Sequence, residues 1–195
     1  MTLSKDTEFY DQSGPYEGLT DAVEFIQQCM EQLQNNKAGF SFPPTLHALL
    51  FPAWTSQMLH HIHRIFFDHK PKLTTEERTD FITLIYNIIE LKLIEILNPS
   101  KVIHLSKDGL DASATASASF IAFLQVDRGY SEKLFQQLLS LLFVPTMLQR
   151  ERTPHPERME RLLSFMRRLE AHPSYRSELS NLFAHSTLNI SVLDS

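Results

Sequence analysis

The stretch Thr74–Leu97 holds neither proline nor glycine. It opens on Thr74-Thr-Glu-Glu-Arg78, with hydroxyl and acidic residues in the order that starts a helix, and it stops at Asn98-Pro99. Its part from Phe81 to Leu97 is the most apolar segment of the chain. Asn87, Glu90, Lys92 and Glu95 interrupt that segment, so it falls short of the roughly 20 mainly apolar residues that a bilayer span needs. A long helix of this kind belongs in a core, and the rest of the chain must supply the apolar faces that cover it.

Those faces are written at three-to-four-residue intervals. Val23, Ile26, Met30 and Leu33 predict a helix from Leu19 to about Asn35, with Thr20 or Asp21 as its cap. Gly39-Phe-Ser-Phe-Pro-Pro44 breaks the pattern, which resumes from Thr45 to Phe67 with an interruption at Pro52 and closes at Lys70-Pro71. Further helices are predicted over Ala112–Val126, from a Ser131 cap to about Phe143, over Glu157–Glu170 and over Tyr175–His185. Pro145, Pro154 and Pro156 punctuate a connector. Val102–Leu105 is the one predicted strand. The expected fold is mainly α: a compact single helical domain over residues 19–195 with a minor strand, preceded by a flexible N-terminal segment over residues 1–18. No internal repeat divides it.

Composition narrows the function classes. At 195 residues and 43% hydrophobic content the chain can bury a substantial core. A net charge of -5 gives no general attraction to nucleic acid. The single cysteine, Cys29, excludes an internal disulfide and a four-cysteine metal site, and it suits a reducing compartment. Met1–Gln12 lacks the basic and apolar runs of a secretory signal.

The chemistry-bearing stretch is Lys101-Val-Ile-His-Leu-Ser-Lys-Asp-Gly-Leu-Asp-Ala-Ser113, read as a short strand, a tight loop and the start of an Ala/Ser-rich helix. A helix that opens directly after a turn presents unpaired N–H groups and the positive end of its dipole, which together hold an anion. Lys107 adds attraction, and Asp108 and Asp111 partly cancel it. A purely structural role fits the same residues equally well, with Asp111 as a helix cap and Gly109 supplying backbone freedom.

The loop resembles the signature Cys-Lys-x-Gly-x-Asp-Arg-Thr of the bacterial-effector inositol phosphatases and, at a greater distance, of the Sac-type phosphoinositide phosphatases. The aligned residues are Ser106, Lys107, Asp108, Gly109, Leu110, Asp111, Ala112 and Ser113. Lys107, Gly109 and Asp111 match, and Ser113 replaces the threonine hydroxyl. The order of elements from roughly Trp54 to Leu169 is also similar, including Val144–Arg152 and Glu157–Leu163 downstream of the loop. The resemblance implies phosphate or an inositol phosphate as ligand, a host or bacterial protein as partner, and a bacterial cytoplasmic protein or one exported into a host cell.

The departures fall on the reactive groups. In that family the cysteine attacks phosphorus as a thiolate and the arginine clamps the charge that develops in the transition state. Ser106 and Ala112 stand at those two positions, five residues apart, and supply neither group. The signature is thus that of a pseudophosphatase with no catalytic residue assigned.

Arg150, Arg152 and Arg158 are candidate supporting anion contacts, because a guanidinium pairs well with phosphate. Glu151, Glu157 and Glu160 are interleaved with them, however, as on a solvated helix face. His60-His-Ile-His63 with Asp68 and His69 is the one pattern with metal-ligand character. It lacks a His-Glu-x-x-His spacing and reads as a polar helix surface, so no metal and no cofactor are assigned. Trp54, Met58, Leu59, Ile62, Ile65 and Phe66 read as core or helix interface. The sequence points to a non-catalytic, phosphatase-like interaction or anion-binding module, an effector or regulator. A helical adaptor without a small ligand, and a phosphoester hydrolase working through another region, are the alternatives.

Overall fold

The computed structural model describes residues 2–51, 53–106, 111–125, 131–151 and 153–183. It is mainly α. The helices are α1 (Glu8–Asp11), α2 (Ala22–Gln34), α3 (Pro44–Leu50), α4 (Ala53–Phe67), α5 (Thr75–Leu97), α6 (Asp111–Gln125), α7 (Glu132–Arg150), α8 (Pro156–Glu170) and α9 (Tyr175–Leu179). Two short strands, β1 (Thr2–Leu3) and β2 (Phe40–Ser41), pair antiparallel with Thr2 opposite Ser41 and Leu3 opposite Phe40. The chain divides into two compact units at Ile88/Ile89, within α5. No helix among the described residues is long and apolar enough to cross a membrane.

Helix starts follow local chemistry. The Asp21 carboxylate accepts from the N–H groups of Val23 and Glu24 at 2.9 and 3.1 Å, which caps α2. At α5 the Thr74 hydroxyl accepts from Glu77 N–H at 3.2 Å, while the Glu77 carboxylate accepts from Thr74 N–H at 3.0 Å. This reciprocal box satisfies two orphan donors at once. The Ser131 hydroxyl caps α7 by accepting from Leu134 N–H at 3.1 Å.

In the N-terminal unit, residues 2–18 carry β1, α1 and a 3-10 turn at Gly14–Tyr16, and Phe9 and Tyr10 are buried. Phe9 contacts Phe25 and Phe40, Phe25 meets Phe81 edge-on, and Phe81 stacks on Phe67. Aromatic contacts of this geometry add to the gain from area burial alone. Gly39 takes φ +95°, and a Cβ there would lie 2.9 Å from the Ser4 Cβ, so the β1–β2 approach requires glycine.

Residues 77–88 of α5 are buried without interruption. Their polar side chains therefore need partners inside the protein. Thr79 and Thr83 donate to the carbonyls four residues back, Thr75 and Thr79, and the Asn87 amide donates to Thr83 O. Arg78 is fully buried, and all of its partners are neutral oxygens: Gln12 Oε1 at 2.6 Å, Leu73 O at 2.9 Å, Glu17 O at 3.1 Å and Thr75 Oγ1 at 3.3 Å. The guanidinium thereby fixes the end of α1, the turn before α2 and the start of α5 to one another. Burial lowers its pKa from the ordinary arginine value.

In the C-terminal unit α6 packs on α7 and α8. Ala118 and Ala122 meet Leu134, Leu138, Leu142, Leu162 and Met166. Small side chains on α6 let the neighbouring helices approach, and larger leucines fill the space between them. Two expectations are corrected here. Residues 101–106 form no strand: Val102, Ile103 and Leu105 are 44, 63 and 86% exposed, so these apolar residues find no sheet to cover them, and the described strands β1 and β2 pair with each other. Pro145 does not end a helix but lies inside α7. Its missing N–H costs the turn one bond, and the buried Thr146 hydroxyl binds the Leu142 and Phe143 carbonyls at 3.3 and 3.0 Å beside the gap.

Arg78→Ala is expected to destabilise the fold by on the order of 3 kcal/mol, because it strands buried acceptors on three segments. Arg78→Lys should also be destabilising, since an ammonium lacks the planar fork that reaches them. Urea unfolding of the variants measures both effects. Burial also raises the Cys29 thiol and the Tyr86 phenol well above their usual pKa values, with nearby Tyr10, Cys29 and Asp11 adding to the effect on Tyr86. Each group holds its proton more tightly folded than unfolded. Its contribution is intact below the unfolded pKa, about 8.5 for the thiol and about 10 for the phenol, and is lost as pH rises towards the folded value. The unfolding midpoint should therefore fall as pH rises above about 8.5, and Cys29→Ala should remove the earlier part of that fall.

Candidate functional site

The segment 101–106 leads to α6, and two of its side chains engage that helix. Ser113 and Ser117 are four residues apart and so share one face of α6. Ser106 Oγ donates to Ser113 Oγ at 3.3 Å. His104 Nδ1 lies 2.9 Å from Ser117 Oγ. The hydroxyls of Ser106 and Ser113 thus meet at the first turn of α6, a 15-residue helix. Ala112 is half-buried beside them.

Glu90 on α5 completes the cluster. Its Oε1 lies 2.7 Å from His104 Nε2, and the two side chains are 14 and 21% exposed. Both facing atoms are sealed from solvent, in a contact of ion-pair length whose angles fall short of an aligned hydrogen bond. The rings of His104 and Phe120 also meet edge-to-face, with centroids 6.2 Å apart. A carboxylate facing Nε2 favours the tautomer that carries its proton there, which leaves the Nδ1 lone pair to accept from the Ser117 hydroxyl.

Of the predicted site residues, Ser106 and Ser113 come together as described, and Ala112 precedes Ser113 on α6. Lys107, Asp108, Gly109, Leu110 and Arg152 lie outside the described residues, as do the side chains of Asp111 and Arg150. Asp111 is the first residue of α6 and Arg150 the last of α7. Arg158 is half-buried on the first turn of α8, the helix that packs on α6.

The histidine cluster on α4 is tied to backbone. His60 and His61 direct Nδ1 at the carbonyls of Ser56 and Gln57, at 2.7 and 2.8 Å, and His63 directs Nε2 at Lys70 O at 2.9 Å. Among the described residues no group of three or more His, Cys, Asp or Glu side chains could hold a metal ion. Trp54 is half-buried, and Met58, Leu59, Ile62, Ile65 and Phe66 line the core as their spacing predicts.

Sequence reasoning missed Glu90, His104 and Ser117. His104 was hidden inside a predicted strand, and Glu90 read only as a polar break in an apolar helix. The available signal was the four-residue spacing of Ser113 and Ser117 downstream of a lone histidine. Comparison with family models, curated proteins and solved structures finds no match to the chain.

His104→Ala is expected to cost about 1–3 kcal/mol, because it leaves a mostly buried carboxylate without the imidazole that faces it. The double variant Glu90→Gln/His104→Ala should lose less than the sum of the two single changes. Denaturant unfolding of the four proteins in that cycle measures the coupling.

Proposed function

We propose that the C-terminal unit is a phosphatase-like interaction module that recognises a compact anion, phosphate or an inositol phosphate, and does not carry out Cys-x5-Arg phosphoryl transfer. The observation that carries this reading is the Ser106–Ser113 contact, in which two hydroxyls meet at the first turn of a long helix. N–H groups and the helix dipole favour an anion at such a place. Ser106 stands where the family has its thiolate, and His104 of the same segment is directed at Ser117 and Glu90. Ala112 supplies no phosphoryl clamp.

Binding should be weak, because the arginine fork is missing and Asp108 and Asp111 oppose an anion. The resemblance to bacterial effectors adds a host or bacterial protein as the partner class, so that the loop anchors a phosphorylated group while the helical surface makes the remaining contacts.

Calorimetric titration with phosphate and inositol phosphates is expected to give dissociation constants on the order of millimolar, in keeping with a site held by backbone donors and one lysine. Lys107→Glu should weaken binding and reduce its salt dependence, whereas the exposed Lys37→Glu in the N-terminal unit should leave both unchanged. Ser106→Cys alone should yield no phosphate release, because the clamp is still absent. Failure of every anion to bind at millimolar concentration would transfer the argument to a helical adaptor without a small ligand.

A further inference from the structure

We propose that Ser117 is an activated nucleophile that accepts the acyl group of small carboxylic esters, with His104 as its base and Glu90 orienting the imidazole. This goes beyond anion recognition and does not rest on it, since neither Ser106 nor the loop takes part.

Three observations carry the inference. The nucleophile and base are within reach, with Ser117 Oγ 2.9 Å from His104 Nδ1. The base has a third group behind it, with His104 Nε2 2.7 Å from Glu90 Oε1. Solvent access is graded in the useful direction: the facing Nε2 and Oε1 atoms are sealed, while Ser117 is only half-buried. Hydroxyl, imidazole and carboxylate in that order form the constellation by which a serine is activated on unrelated folds. The two ring nitrogens exchange their usual places, which leaves the proton path intact. Glu90 holds the proton on Nε2, and the free lone pair of Nδ1 points at the hydroxyl that must lose its proton. The loose alignment of the Glu90 contact matches catalytic hydrogen bonds that tighten only when substrate is bound.

The chemistry balances without a further reagent. Ser117 Oγ bonds to the ester carbonyl carbon, and its proton passes to His104 Nδ1. The bond from that carbon to the alkoxy oxygen breaks, and the departing alcohol takes the proton from Nδ1. Water then attacks the acyl-serine, gives its proton to Nδ1 and releases the carboxylic acid, while Ser117 Oγ recovers a proton.

The test uses the full chain and an alkyl fluorophosphonate, which phosphonylates an activated serine with loss of fluoride. Intact mass and peptide mapping should show one adduct, located on Ser117 and lost in Ser117→Ala. His104→Gln should slow its formation about a hundredfold, the scale of general-base assistance, with circular dichroism confirming the fold. If His104→Gln does not fold, Glu90→Gln serves in its place, with slower labelling supporting the assignment. No adduct at Ser117 in the folded wild-type chain, or an equal labelling rate in the folded variant, would overturn it.

Discussion

A helix buried on every side has nowhere to send its polar groups, and that constraint organises the N-terminal unit around α5. Residues 77–88 are buried without a gap, although Arg78, Thr79, Thr83 and Asn87 lie among them. The helix solves part of the problem internally, through side chains that bond carbonyls one turn back. It cannot solve Arg78 in that way. The guanidinium needs several oxygens in one plane, and the chain supplies them from α1, the turn before α2 and the α5 entry. Aromatic packing of Phe9, Phe25 and Phe81 supplies apolar contacts in the same unit. Apolar burial drives the collapse, and the arginine selects which segments meet.

The C-terminal unit follows another rule. Its central element, α6, is rich in alanine and serine. Ala118 and Ala122 meet the leucines of α7 and α8, while Ser113 and Ser117 bond Ser106 and His104 of the preceding segment. Small residues serve both contacts: they permit close helix packing, and they bring hydroxyls near enough to the backbone path of 101–106 to hold it. The polar junction is thus a consequence of how α6 packs, and both functional proposals draw on that one helix.

Much of this was legible in the sequence because the relevant physics is local. Asp21, Thr74 with Glu77, and Ser131 cap helices where their side chains predict, and the apolar spacing of Met58, Ile62 and Phe66 marks a buried face. The misreadings share a cause. Val102–Leu105 reads as a short strand, but a strand exists only with a neighbour, and whether a neighbour comes is a tertiary fact. Pro145 reads as a stop, yet Leu138 and Leu142 packing against α6 outweighs one missing hydrogen bond. Two of the four partners of Arg78, Glu17 and Gln12, are 61 and 66 residues away, and nothing in local spacing announces them. In the same way the loop motif exposed Ser106 and Ser113, while Glu90 and His104 required the fold.

The central claim is that the junction of residues 101–106 with α6 is the functional surface of the chain. Titrating phosphate into the isotopically labelled protein and following every backbone amide by magnetic resonance tests it most directly. The account predicts saturable shifts concentrated at Ser106 and at residues 111–113, with little change across α2, α4 and the α4–α5 turn. Shifts centred on the arginines of α8, or spread evenly over the surface, would contradict it.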